Sequence, residues 1–466
     1  MSALERIRAE VLAGGRRAPL RVLAASGQLG YGVLEPAFRA GLARKPHAIG
    51  ADMGSVDPGP SYLGAGKLAT SVRVTRRDLT LTLTGARSIG VPLVIGTAGT
   101  AGAAPHLATT LELVRAIARE HGLHFRLASI AADIPKDLVK QAVRAHRVRP
   151  LGAIADLTEA EVDATTHLVG QMGIEAFQRA FDAGADVIIA GRACDTAVFA
   201  ALPAMLGYEM GPAMHMAKII ECCSLCCLPG GRDAMLGTLD DTGFTLDSMN
   251  PTRAATPMSV AAHSLYEQAD PFTVTEPEGV LHVDTARYAA LDDHRARVEG
   301  ARWVPARQLT LKIEGAARVG ERAVVLAGTA DPRVIGGVRE ILPGVEKIVN
   351  ELVPPDPAAP YRLLFRVYGI DGVVAWPSPP ETLPREAFIL GEVLADSADE
   401  AMSVATVLKQ YLLHHGFPGR LSTAGNVAFP FTPPELAAGT AYRFCVYHVM
   451  DVDDLAALFP LTIEDL

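Results

Sequence analysis

The sequence predicts an α/β protein: a mostly parallel, doubly wound sheet in the N-terminal half, then a C-terminal α+β domain. Three observations carry this. Between residue 21 and about residue 235, short apolar runs end in glycine-rich turns and lead into segments with helical spacing. That is the pattern of parallel strands covered on both faces. From about Thr238 the rhythm changes to shorter, alternating runs. A hydrophobic content of 49 % with 20 % charged residues suffices to bury a core. The 466 residues divide on this reading into an α/β domain (1–237), a β-rich continuation or insert (238–353) and an α+β domain (354–466).

The elements follow in order. Arg21–Ser26 is a first strand, followed by Gly27, Gly30, Gly32 and helical spacing over Leu34–Leu42. Ala48–Met53 is a second, carrying Asp52 near its end. Pro92–Thr97 is a third, followed by Gly99 and Gly102 and a helix over His106–His121. His124–Ile130 and Ala185–Ala190 are further strands, the latter running into Gly191, Arg192 and Asp195. Beyond the change of rhythm, Thr275–Tyr288 and Arg307–Leu326 read as strands and hairpins. Pro354, Pro355, Pro357 and Pro360 mark a loop. Tyr361–Val374, Phe388–Leu394 and Tyr442–Val449 read as strands, and Ser397–His414 as a helix with Ser397 as N-cap and Glu400 as its partner.

A net charge of −9 argues against broad binding to nucleic acid or anionic membranes. No apolar run reaches the roughly 18 residues of a membrane span. The first 21 residues mix Glu5, Arg6, Arg8 and Glu10 with short apolar pieces, unlike a signal peptide. Six cysteines in a long chain read as free thiols. A cytoplasmic enzyme is the expectation.

Ligands of such sheets bind beyond the carboxyl ends of the strands, so the polar residues there are the candidate site. In the Gly27–Gly32 turn, backbone N–H groups around Gly30 and Tyr31 could cradle an anion, or the glycines could serve a tight turn alone. The spacing is not the dinucleotide fingerprint, so no nicotinamide cofactor is expected. Asp52 and Asp57 could hold a divalent cation such as magnesium or manganese, with Ser55 nearby; an Asx-turn is the bland alternative. Thr97 and Gly99 could bind a carboxylate or phosphate, and His106 reads as a surface residue. Arg192 presents a planar fork suited to a carboxylate. Asp195 is either an acid–base group or a helix N-cap. His215, Lys218 and Glu221 fall along one side of a helix in apolar company, which suggests a partly buried proton-handling group, a surface i, i+3 ion pair being the alternative. The Cys222–Cys227 run has no second ligand pair at metal spacing and reads as core. Asn250 and Arg253 could add donors to an anion; His263, Tyr266 and Glu267 follow, His263 as a weak base candidate.

The strings ADMGSVDPGPSYLGAGK, IAGRACDTAVFAALPAM and HMAKIIECCSL resemble the acyclic terpene utilisation (AtuA-like) family, with similarity from Arg21 to the closing YRFCVYHVMDVDD. The resemblance implies carboxylate catabolism: the family takes its name from a member proposed to be a lyase that releases acetate from a branched 3-hydroxy-glutaryl thioester. It also implies a small companion subunit, and a homo-oligomer is expected. The first turn here, GQLGYG, departs from the aromatic and acidic pair that many members place after the glycine, which puts the substrate in doubt. The expected function is a lyase, of hydratase, dehydratase or retro-aldol type, on a small hydroxy-carboxylate or its acyl-CoA ester. An isomerase on an unsaturated di- or tricarboxylate, or a non-catalytic ligand-binding subunit of a two-component enzyme, are the alternatives.

Overall fold

The computed structural model describes all residues except 1–2, 14–16, 267, 375, 377–381 and 422–424; Glu267 therefore lies outside the described residues. The chain is mixed α/β and forms two compact units, one of residues 1–317 and 444–466, the other of residues 318–443. The boundaries do not fall at 237 and 353 as the change of rhythm suggested. They fall inside two long strands, Leu309–Thr329 and Glu435–Val452, where no local sequence signal marks a break.

The first unit is built on a ten-stranded sheet. Its middle is parallel, in the order Leu20–Ala24, Ala48–Asp52, Leu93–Gly96, Val187–Ala190, Arg126–Ile130. Both flanks are antiparallel: Met235–Leu239, Gly243–Ser248, Arg295–Glu299 and Arg287–Ala290 on one side, Leu461–Asp465 on the other. The sheet is thus mixed, not mostly parallel. The flanking strands come from segments whose pairing partners are set by distant sequence, which periodicity does not reveal.

The parallel strands are apolar throughout because successive side chains enter different cores. Val22, Val94 and Ile188 join one core, and their neighbours Leu23, Ile95 and Ile189 the other. Helices Val72–Ile89 and Ala104–His121 cover the second face, and helix Asp195–Met205 packs on the first. Two glycines seat this last helix. A Cβ on Gly50 would lie 2.5 Å from the Phe199 ring, and one on Gly96 would lie 2.4 Å from a Val198 methyl. The missing side chains let the helix approach the sheet closely, which fixes its first residue, Asp195, beside the strand ends.

The second unit pairs residues 321–329 with Ala387–Ala395, and that strand with Arg362–Tyr368, all antiparallel. Helices Val338–Leu352 and Ala398–His414 pack together, and Val325, Val345, Val393, Val404 and Leu408 share the core. Ser397 caps the second helix as expected, accepting from the Glu400 N–H at 3.2 Å.

Candidate functional site

Three adjacent parallel strands end at Asp52, Gly96 and Ala190, and their turns are sewn together by backbone. The Thr97 N–H donates to the Gly191 carbonyl at 2.9 Å, and the Arg192 N–H donates to Gly102 at 3.2 Å. Gly102 has a φ of +70°, and a Cβ there would sit 2.1 Å from the Arg192 nitrogen. Only glycine fits this approach. The Thr97 hydroxyl accepts from the Ala193 N–H (3.2 Å) and from Arg192 Nη1 (3.3 Å).

Arg192 is 3 % exposed and its fork is already filled. Nε donates to Glu314 Oε2 at 2.7 Å and Nη2 to Oε1 at 3.3 Å. Lys312 Nζ reaches the same Glu314 Oε1 at 2.9 Å. Burial alone would raise the Glu314 pKa, but the two cations outweigh it and hold it down at about 2. Arg192 is therefore a partner of Glu314 here; the expectation of a fork open to a substrate carboxylate is corrected. Lys312 and Glu314 share a strand face by their i, i+2 spacing. This K-x-E inside an apolar alternation was the sequence signal that the strand-and-hairpin reading passed over.

Around Arg192 lies a buried group of acids. Lys218 and Glu221 pair at 2.6 Å, with side chains 7 % and 6 % exposed. Burial pushes the Glu221 carboxyl up to about 8; Lys218 opposes the rise, and Asp195 and Glu276 add to it. Burial would lower the Lys218 pKa, but Glu221 outweighs it, so the ammonium stays charged. Asp52 accepts from the Gly54 N–H at 3.2 Å; burial and then Asp195 push its carboxyl well up. Asp195 is the first residue of helix Asp195–Met205, with Cys194 as N-cap. It acts electrostatically on Asp52, Arg192, Lys218, Glu221 and Glu276 alike. Glu276, which sequence reasoning missed, accepts the Thr196 hydroxyl at 2.6 Å and is raised mainly by burial. Glu278, two residues on, is raised to about 7 by burial and by Glu276. The buried or half-buried carboxyls Asp52, Asp195, Glu221, Glu276, Glu278 and Glu314 outnumber the cations Arg192, Lys218 and Lys312. Burial and crowding push Glu221 up to about 8 and Glu278 to about 7.

A cavity of about 320 Å³ opens beside this group, with Gln171, Cys194, Glu276, Thr310, Lys312 and Arg149 in its wall. A larger hollow of about 710 Å³ near Tyr208 and Trp303 contains none of the buried acids.

Other expected site residues are placed elsewhere. The Gly30 and Gly32 N–H groups do cradle an anion, but it is the protein's own Asp78, at 3.0 and 2.9 Å, with Val33 N–H on the other oxygen at 2.9 Å. Tyr31 is 45 % exposed. Asp57 is exposed and takes the Ser55 hydroxyl at 2.8 Å, whereas Asp52 is buried among the acids, so the two are not brought together as a cation pair. Among the described residues no set of three His, Cys, Asp or Glu is arranged to hold a metal ion. Gly99 turns with φ +62° and donates its N–H to the Met53 sulfur. Asn250 and Arg253 both bind Asp233, and Arg253 also binds the Pro229 and Gly230 carbonyls, which makes them a loop clamp and not anion ligands. His215 is fully buried between Phe244 and Tyr288, bonded to Ser264 at 3.0 Å, and burial lowers its pKa to about 3. It is a neutral core histidine, and its helical spacing misled. His106 is buried too, close to the Tyr62 and Lys67 carbonyls, and not on the surface. His263 stacks on Tyr266 and is lowered to about 4 by burial and Lys218. All six cysteines are free.

The family model for the acyclic terpene utilisation family protein AtuA matches residues 79–430 of the 466. The chain belongs to that family. The matched span holds Arg192, Asp195, Lys218, Glu221, Glu276, Lys312 and Glu314; Asp52 precedes it. No curated protein and no solved structure matches the chain.

Proposed function

We propose that this chain is an acid–base enzyme of lyase type, either a hydratase/dehydratase or a retro-aldol enzyme, acting on a small hydroxy-carboxylate or its coenzyme A ester. The observation that carries it is the buried Lys218–Glu221 pair, 2.6 Å apart and grouped with Asp52, Asp195 and Glu276 at the ends of the parallel strands. A hydratase or dehydratase removes a proton beside a carbonyl and returns one to the leaving hydroxyl; a retro-aldol enzyme takes the β-hydroxyl proton, the C–C bond breaks, and a proton returns to the enolate carbon. A carboxyl that ionises near neutrality, as Glu221 does, suits either step. Lys218 supplies fixed positive charge where an enolate would develop. Arg192 positions Glu314 and the Thr97 turn and does not itself hold substrate. An isomerase would use the same proton removal without cleavage, so the products separate the two. This reading takes the parallel strands as the working scaffold, in the manner of doubly wound folds.

The test is proton exchange. The purified chain is incubated in D2O with a panel of hydroxy-di- and tricarboxylates and their coenzyme A esters, and deuterium entry beside the carbonyl is followed by NMR. Exchange by the native chain, slowed about a hundredfold or more in Glu221→Gln of intact melting behaviour, is expected. Compounds that bind yet never exchange would refute the reading.

A further inference from the structure

We infer that the cavity between Lys312 and Glu276 is a binding site for a short carboxylate-bearing ligand, its carboxylate held by Lys312 and its other end facing Glu276. The inference rests on the proposed acid–base function and concerns the cavity that Glu276, one member of that buried group, lines. The volume, about 320 Å³, falls at the small end of ligand pockets, enough for a short acid and too little for a nucleotide.

The charge on its wall comes from a triad. Glu314 is a single carboxylate held by two cations, Arg192 and Lys312. Asp195 lies 4.0 Å from Arg192 Nη1 and Arg192 is sealed inside, so the charge of the triad that reaches the cavity is the Lys312 ammonium, whose side chain is 23 % exposed. Lys312 has three N–H donors. One goes to Glu314 at 2.9 Å, Tyr447 is a second hydrogen-bond partner, and the ammonium lies 4.4 Å from that ring's centroid. One donor remains, on an ammonium that Glu314 and Tyr447 hold in place. Arg149, paired with Asp451 at 2.6 Å, adds a further guanidinium to the wall. Thr310 and Gln171 add polar groups there.

The other side is chemically different. Glu276 is buried, takes the Thr196 hydroxyl, and has the Glu278 carboxyl as a neighbour. Burial pushes this carboxyl up from its ordinary range, against the Cys194 and Thr196 hydrogen bonds that draw it down. The Cys194 thiol beside it is held protonated, mainly by burial. A ligand with a carboxylate at one end and an oxygen at the other would meet a cation and a proton donor.

The test is calorimetric titration of the full chain with glutarate, its neutral diamide, and glutaryl-CoA. Glutarate is expected to bind at least tenfold more tightly than the diamide. Lys312→Met should lose at least tenfold in glutarate affinity, and Lys312→Arg should recover most of it. Glutaryl-CoA carries the same carboxylate and should compete with glutarate; tighter binding of the ester would mark it as the source of the carboxylate, and equal or weaker binding the free acid. Equal affinity for glutarate and diamide, an unchanged Lys312→Met, or simultaneous binding of acid and ester would overturn the site. The two readings fail separately. Glutarate binding through Lys312 without exchange on any panel compound would sink the function and leave the cavity. Exchange with an unaltered KM in Lys312→Met would sink the cavity and leave the function.

Discussion

Replacing Lys218 by Met would take from the buried Glu221 its 2.6 Å hydrogen-bond partner and the one charge that opposes the rise caused by burial, Asp195 and Glu276. Breaking a buried pair from one side costs about 3–5 kcal/mol, whereas replacing both partners by apolar residues costs far less. Urea unfolding should therefore show Lys218→Met less stable than Lys218→Met/Glu221→Leu; a double variant as unstable as the sum of its parts would mean that the pair is not coupled. Asp78 offers a second case. Its carboxylate accepts three backbone N–H groups of the glycine turn, and Asp78→Ala should cost about 3 kcal/mol or more, read from the denaturation midpoint. A loss under about 1 kcal/mol would mean that water replaces the carboxylate freely. These two sites differ in how far they could be read from sequence. The Lys218–Glu221 pair was legible because i, i+3 spacing is local. The filling of the glycine turn was not, because Asp78 lies 48 residues beyond Gly30 and only the fold brings it there.

At the level of elements, the strand-end turns depend on close backbone approach. Gly102→Ala would drive a Cβ into the Arg192 nitrogen at a positive φ. It should cost more than about 1 kcal/mol and weaken the Arg192–Thr97 contact, seen as lower affinity for any ligand that wild type binds. Unchanged stability and affinity would show that the two turns need not be joined. The parallel strands were visible in the sequence because burial on both faces makes them apolar without interruption. The antiparallel flanks were not, since Met235–Leu239 pairs with Leu20–Ala24 across more than half of the first unit's chain. The strand Leu309–Thr329 hid Glu314 for a related reason: its acid looks like an ordinary polar position until Arg192 arrives from 122 residues away.

Across the whole molecule, the buried acids and histidines set the response to pH. Glu221 at about 8 and Glu278 at about 7 lie above their ordinary 4.5, so from pH 4.5 upward the folded chain holds protons that the unfolded chain has released. Stability from these groups falls as pH rises through that window. His215 at about 3 and His263 at about 4 lie below their ordinary 6.5, so they act in the opposite direction, and only below pH 6.5. Between pH 6.5 and 8 the carboxyls prevail. The urea midpoint should drop across that range, and Glu278→Gln should flatten the drop; a rising midpoint would contradict the assignment. The central claim, that buried carboxyls at the strand ends keep protons at neutral pH, is tested most directly by infrared spectroscopy. At pH 7 the folded protein should show a protonated-carboxyl C=O band that weakens in Glu221→Gln and in Glu278→Gln. A spectrum at pH 7 with every carboxyl ionised, in the native chain and both variants alike, would contradict the account.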